Sequence, residues 1–411
     1  MEVKYGLPKD VKFCKKCNMS NQQPMSSNEY KHSDKSGKET MSFSSDGVCY
    51  ACTFNEFKEN GTMDWDSREQ ELIELCNKYR KNDGSYDCIV GGSGGKDSAF
   101  QSHILKYKYN MNPLTVTWAP HLYTDIGWEN HQSWVHEGGF DNFLFTPNGK
   151  IHRELTRQAT LNLLHPFQPF ILGQKTFVTK MAHRFNIPLI FYGESPAEYG
   201  EKMSVDTKKY SNIGEDVKNE GYSQDPLNGI DERDVLLGGK KVGDYLEDGV
   251  PLVELKNYMP LDSSNLTEKK IDFFYLGYFL RWVPQEAYYY AVENTGFKAN
   301  PVRTEGTYSK YNSLDDKIDG MFYYTRYIKF GVGRTMMDSA QEIRNNHITK
   351  EEGQALMKRF EGEYPARYEK EFLDYVSMSK EEFSNLCDSF RSPHLWKKEN
   401  DIWKLRAQPW D

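Results

Sequence analysis

Two groups of residues in this 411-residue chain carry chemistry in their type and spacing. The first is Ser93-Gly94-Gly95-Lys96-Asp97-Ser98. It follows a short apolar run, Tyr86 to Val90, that ends in Gly91-Gly92, and it opens a helix-like stretch from Ser98 to Tyr107. Glycines at a strand-to-helix turn let backbone N–H groups approach an anion closely, and the helix N-terminus adds positive partial charge. Ser93 and Ser98 offer hydroxyl donors, Lys96 can pair with a phosphate, and Asp97 can hold Mg²⁺ or anchor the loop. The spacing is not the Gly-x-x-x-x-Gly-Lys-Ser/Thr of kinases and GTPases.

The second group is Cys14-Lys15-Lys16-Cys17 with Cys49-Tyr50-Ala51-Cys52. Two such pairs have the spacing of a four-thiolate zinc site, each pair forming one knuckle. Four thiolates leave no open position, so a structural role is expected. An iron–sulfur cluster is the alternative. The gap between the pairs exceeds the usual ~15–20 residues, and the polar stretch Ser26 to Glu39 reads as an insertion. The segment is too polar to bury a core of its own, and a metal would staple it.

The remaining cysteines, Cys76, Cys88 and Cys387, stand alone. None has the flanking glycines of a nucleophile elbow. Position 2 is Glu, so an N-terminal cysteine nucleophile is absent. The chain therefore lacks the activated thiol that would free ammonia from glutamine.

Positioning the loop requires a sheet. Ser67-Arg68-Glu69-Gln70 reads as a capping box opening a helix that carries Leu72, Ile73, Cys76 and Tyr79. Leu114 to Trp118, Asn142 to Phe145 and Pro188 to Tyr192 read as further strands, with helices over roughly 151–164 and 171–185. This alternation predicts a parallel sheet covered by helices, with ligands beyond the carboxyl ends of its strands. Residues 201–260 are charged and weakly patterned, and read as a lid or a surface insertion. From Thr267 onward the pattern is mostly helical, with Phe273, Phe274, Leu276, Tyr278, Phe279 and Leu280 crowded together. The division expected is 1–60 cysteine-rich, 61–260 nucleotide-binding and 261–411 helical.

Net charge is −8, which argues against nucleic acid as a main partner. No apolar run is long enough to span a bilayer and the N-terminus lacks a signal-peptide pattern, so a cytoplasmic location is expected.

Ser-Gly-Gly-x-Asp-Ser resembles the PP-loop of the ATP pyrophosphatase superfamily, whose fold is α/β and adenine nucleotide alpha hydrolase-like. Other stretches sharpen the resemblance. They are Gly47-Val48-Cys49-Tyr50-Ala51-Cys52, Pro166-Phe167-Gln168-Pro169-Phe170, Gly173-Gln174-Lys175 and Ile187 to Glu194. Gly306 to Tyr311, Leu314 to Asp319, Ile328 to Gly331, Gly333-Arg334 and Glu342-Ile343-Arg344 complete the set. Together they resemble the bacterial N-acetyl sugar amidotransferases of surface-polysaccharide (lipopolysaccharide O-antigen) and flagellar-glycan biosynthesis. The long gap in the cysteine region and the length of 201–260 depart from that pattern.

The resemblance implies ATP-dependent conversion of an acetamido group, on a nucleotide sugar or nonulosonic acid, to an acetamidino group. AMP is transferred to the amide oxygen, and ammonia displaces it. It implies ATP, Mg²⁺ and structural Zn²⁺, and a separate glutaminase like the glutaminase–cyclase pair of histidine biosynthesis. Expected site residues are Ser93 to Ser98 for phosphates, with Trp118 and Gly193 near the nucleotide. Lys175, Glu194, Lys329 and Arg334 are expected to act with Asp97 around the reacting groups. Tyr308 and Tyr311 are candidates for the sugar pocket. A tRNA-modifying PP-loop enzyme, of thiolase or lysidine-synthetase type, is the main rival reading.

Overall fold

The alternating strand and helix signals assemble into one parallel sheet. The computed structural model describes residues 1–201, 227, 229–261 and 271–411. Its strands are β1 (Cys88–Gly91), β2 (Pro113–Trp118), β3 (Asn142–Phe145), β4 (Leu189–Tyr192) and β5 (Asp272–Tyr275). They run in the order β3-β2-β1-β4-β5, every pairing parallel.

The central strands are buried on both faces, which is why they read as unbroken apolar runs. Ile89 and Ile190 point to one face and join the core beneath Phe170, Phe177 and Val178. Val90, Leu189 and Phe191 point to the other and pack with Leu72, Leu105 and Trp282. The helices are α1 (Tyr50–Glu59), α2 (Trp65–Tyr79), α3 (Lys96–Tyr107), α4 (Asp125–His136), α5 (Gly149–Leu163) and α6 (Gln168–Phe185). After the sheet come α7 (Pro284–Thr295), α8 (Asp319–Phe330), α9 (Arg334–Arg344) and α10 (Lys350–Phe360), with shorter helices at Glu369–Val376 and Lys380–Phe390.

Three details differ from the sequence reading. Helix α2 starts before Ser67: Asp64 is its cap, accepting from Ser67 N at 3.0 Å. Ser67 therefore sits in the first turn, and Asp64 supplies the cap that Ser67 was expected to give. The aromatic crowding near Phe273 is a strand, β5, followed by a one-turn helix at Leu276–Phe279. The sheet thus reaches past residue 260.

The described part of the charged excursion is no lid. It forms a two-residue antiparallel ladder and short helices at Val242–Glu247 and Leu252–Leu255. Val235, Leu237, Tyr245, Leu255 and Tyr258 sink into the main core. The rest of that excursion, and Thr267, lie outside the described residues.

In this strand order the chain leaves β1 toward β2 and later returns to β1's other side as β4. That reversal opens a crevice beyond the carboxyl ends of β1 and β4. The turns that follow these two strands are the glycine loop and Gly193-Glu194.

Candidate functional site

The crevice is a cavity of about 420 Å³. Its floor is Ser93 to Asp97; Glu194 and Tyr199 form one side. Asp315, Asp319, Tyr323, Arg334, Asp338 and Arg344 come from the C-terminal region. Met19, Gln23 and Met41 reach in from the cysteine segment. Three stretches far apart in sequence therefore build one chamber.

The loop's shape follows from its glycines. Gly94 has φ +89°, and a Cβ there would lie 2.7 Å from His131 Cα on α4. A Cβ at Gly92 would lie 2.1 Å from that of Ser98. Gly95 caps α3 without a side-chain bond, leaving the first helical N–H groups turned toward the cavity. Lys96, only 8% exposed, pairs with Asp97. The second oxygen of Asp97, Oδ1, is shielded from solvent and has no partner. Ser98 Oγ donates to Gly95 O at 2.9 Å, so it braces the loop and does not line the cavity.

Glu194 accepts a 2.6 Å hydrogen bond from Tyr199 OH. Burial, and then the neighbouring Asp97 carboxylate, push the Glu194 carboxyl above the usual range. The two acids therefore share one electrostatic site.

Arg334 opens α9, directly after Gly333. Its Nε lies 2.9 Å from Asp338 Oδ1, its plane stacks 4.5 Å from the Tyr323 ring centre, and Nη1 donates to Tyr323 OH. This clamp fixes a guanidinium at the cavity wall.

Asp316 locks the C-terminal region onto the turn after β2. It accepts from His121 N at 2.7 Å and from Ile318 N at 3.0 Å, and it meets His121 Nδ1 at 2.7 Å. Its neighbours Asp315 and Asp319 face the cavity. Gly127 of α4 lets the chain pass close: a Cβ there would lie 2.4 Å from Asp315 Cα.

Of the residues expected from sequence, Ser93 to Asp97, Glu194, Arg334 and Tyr311 line the cavity. The others stand elsewhere. Lys175 is exposed on α6 next to Gln174, which does line it. Trp118 is 3% exposed, packed among Phe145, His152, Phe177 and Tyr258. Gly193 accepts from Gly277 N at 2.9 Å and leaves room for Trp282. Lys329 donates to Leu163 O at 2.7 Å and faces an adjoining cavity of about 280 Å³ with Glu29 and Lys38. Burial, reinforced by Lys38, pushes the Lys329 ammonium down to about 7. Tyr308 bonds Glu342 at 2.9 Å behind the wall.

The residues that sequence reasoning gave no role are Asp315, Asp319, Tyr323, Asp338 and Arg344. The spacing Asp315-Asp316-x-x-Asp319 was the available signal, since it puts three carboxylates on one short turn.

The four cysteines meet as expected. Cys14 and Cys52 Sγ are 3.8 Å apart, Cys17 and Cys49 Sγ 3.6 Å, and all four sulfurs lie within 4.8 Å of one another. Tetrahedral Zn²⁺ with bonds of ~2.3 Å would place sulfurs about 3.8 Å apart. The donor set therefore fits a single tetrahedral ion. A cubane cluster binds each thiolate to a different iron and would need them farther apart. Backbone N–H groups of Lys16 and Cys49 point at Cys14 Sγ, at 3.4 and 3.2 Å, as outer partners of a thiolate should.

No helix among the described residues is long and apolar enough to cross a membrane. Cys76, Cys88 and Cys387 are all buried. Burial pushes the thiols of Cys76 and Cys387 up to about 12, and that of Cys88 well above its ordinary value.

Among known proteins, an uncharacterized protein of Methanocaldococcus jannaschii is 31% identical over 80 residues. Those residues are 19% of this chain and 27% of that protein, so the chain matches well under a third of its curated relative's length. Among solved structures, the NH3-dependent NAD synthetase of Campylobacter jejuni is 14% identical, with TM-score 0.28, covering 51% of this chain and 92% of the synthetase. The U34-tRNA thiolase NcsA of Methanococcus maripaludis, solved with its [4Fe-4S] cluster, is 11% identical, with TM-score 0.29, covering 85% of this chain and 89% of the thiolase. Both superpositions are too loose to carry a functional argument. Residues 305–408, which supply Arg334, Asp338 and the Asp315–Asp319 turn, match the family model described as LPS biosynthesis protein WbpG-like, C-terminal domain.

Proposed function

We propose that the chain is an ATP-dependent sugar amidotransferase that turns an acetamido group into an acetamidino group. The observation that carries this reading is the composition of the main cavity. A loop built for a phosphate chain faces a wall drawn from the segment that matches a lipopolysaccharide-biosynthesis domain.

The chemistry needs two displacements. The acetamido oxygen attacks the α-phosphorus of ATP; a P–O bond forms and pyrophosphate leaves. Ammonia then attacks the imidate carbon, the C–O bond to AMP breaks, and the amidine remains. Loop N–H groups and Lys96 would hold the phosphates, with Arg334 of the same cavity to offset charge on the departing pyrophosphate. Asp97 and Glu194, one with a free oxygen and both facing the cavity, fit a Mg²⁺ that would neutralise phosphate charge. Tyr311 would flank the sugar.

The nitrogen comes from elsewhere. Every lone cysteine is buried with a raised thiol pKa, so none can serve as a glutaminase nucleophile. A separate glutaminase partner, like that of histidine biosynthesis, would deliver ammonia. The metal at Cys14, Cys17, Cys49 and Cys52 is then structural zinc, and the chain works in the cytoplasm.

The test is incubation of the purified chain with ATP, Mg²⁺, ammonium and a panel of N-acetylated nucleotide sugars and nonulosonic acids. Mass spectrometry should show one carbonyl oxygen replaced by NH, with stoichiometric pyrophosphate. Pyrophosphate release triggered by tRNA instead would overturn the sugar assignment.

A further inference from the structure

We propose a second divalent-cation site in the main cavity, held by Asp315 and Asp319 and facing the phosphate loop. It is distinct from a Mg²⁺ at Asp97 and Glu194, and it rests on the reading of the cavity as an ATP site, not on the identity of the sugar.

Asp319 is the starting point. It is 7% exposed, lines the cavity, and its carboxylate makes no hydrogen bond or ion pair among the described residues. A buried carboxylate without a partner is costly and is retained where something is to be bound. Asp315, four residues earlier, lines the same cavity, and its carboxyl takes a hydrogen bond from the Ser93 side chain of the loop. Burial first, then Asp315 and Asp316, push the Asp319 carboxyl well above its ordinary value. Arg334 offsets part of this, but that guanidinium is already paired with Asp338.

Charge balance across the cavity leads to the same place. Six carboxylates line it against three cationic side chains, Lys96, Arg334 and Arg344. Asp338 already occupies Arg334, and Arg344 is turned toward Cys17. Phosphates entering this chamber add negative charge to an anionic surplus. One Mg²⁺ at the loop leaves Asp315 and Asp319 uncompensated. Hard carboxylate oxygens select Mg²⁺ or Mn²⁺ over softer ions. An ion there would also bridge the C-terminal region to the loop through the nucleotide, so that the chamber is complete only when ATP is present.

The experiment is Mn²⁺ titration of the zinc-loaded full chain, read by electron paramagnetic resonance, in the presence of α,β-methylene-ATP. Wild type should bind two Mn²⁺ per chain, and Asp319→Asn should bind one while keeping its zinc and its nucleotide. Asp315→Asn should give the same loss independently, so a folding defect in one variant does not decide the matter. Nucleotide bound with a single Mn²⁺ in wild type, or two Mn²⁺ in both variants, overturns this site alone. A chain that takes no nucleotide overturns both this site and the ATP reading.

Discussion

Arg344 Nη1 lies 3.8 Å from the Sγ of Cys17, a residue 327 positions earlier in the chain. The same guanidinium donates to Glu198 O at 3.2 Å and lines the main cavity. Its helix, α9, also carries Arg334 and Asp338, and its Met336 and Ala340 pack on the cysteine knuckles. The cysteine segment and the wall of the main cavity therefore share one helix. Substituting Cys17→Ser should remove the metal, destabilise the chain by about 4 kcal/mol or more, and lower nucleotide affinity as well. Metal analysis of wild type should give one zinc per chain without iron–sulfur absorption. Four irons with inorganic sulfide per chain would refute the single-ion geometry.

The phosphate loop predicts a backbone effect separate from charge. Gly94→Ala places a side chain at positive φ and against the α4 backbone. Strain of about 1–2 kcal/mol from φ alone, with the clash added, should cost about tenfold or more in nucleotide affinity. Equilibrium binding of a fluorescent ATP analogue checks this, with circular dichroism confirming the fold.

Arg334 is held by an ion pair and a ring stack at once, so lysine is no substitute. Arg334→Lys should lower kcat/KM for pyrophosphate release by about 100-fold, on the scale of a lost transition-state donor. A drop confined to KM would instead assign Arg334 to uniform binding of the nucleotide.

Lys329 separates structure from catalysis. Its ammonium is pushed down to about 7 by burial and by Lys38, whereas an unfolded lysine titrates near ~10.4. The unfolded chain therefore binds more protons between those values, and stability rises with pH across that window. The burial penalty is complete below about 7. Lys329→Met should be more stable than wild type at pH 6, with the advantage shrinking as pH approaches 10. ATP–pyrophosphate exchange should fall less than about threefold. Thermal melts across pH, with exchange assays alongside, check both halves.

Buried thiols predict indifference. Replacing Cys88 by Ala should leave ammonium-driven turnover unchanged within about twofold, and glutamine should not replace ammonium for the purified chain. Glutamine-driven turnover without a partner would contradict the assignment of nitrogen delivery to a second protein.

The sequence exposed β1, β2 and β4 because they are short, largely apolar runs that end in glycine or polar turns, and the exposed edge strand β3 through its Phe143-Leu144-Phe145 run. It hid β5 because Phe273 and Phe274 run on into Leu276, Tyr278 and Phe279 with no break between strand and helix. The site was legible where chemistry is local, as in Ser93 to Asp97. It was obscured where the backbone turns. Lys329 and Arg334 are five residues apart, yet Gly331 at φ +66° ends α8 and starts a new direction. One side chain enters a side chamber and the other the main cavity. Lys175 and Gln174 differ by one position on α6, which rotates one toward solvent and the other to the cavity rim. Asp319 was visible only through its spacing from Asp315 and Asp316, because an acid at a helix start is ordinarily a favourable end charge.

The chamber draws Met19, Gln23 and Met41 from one end of the chain and α9 from the other. During synthesis the cysteine knuckles emerge first and wait while some three hundred residues follow. At ~5–20 residues per second that delay is on the order of tens of seconds. For that interval the thiols stand without Arg344 or α9 to cover them. A metal taken up by the nascent knuckles would therefore be bound before the main cavity closes.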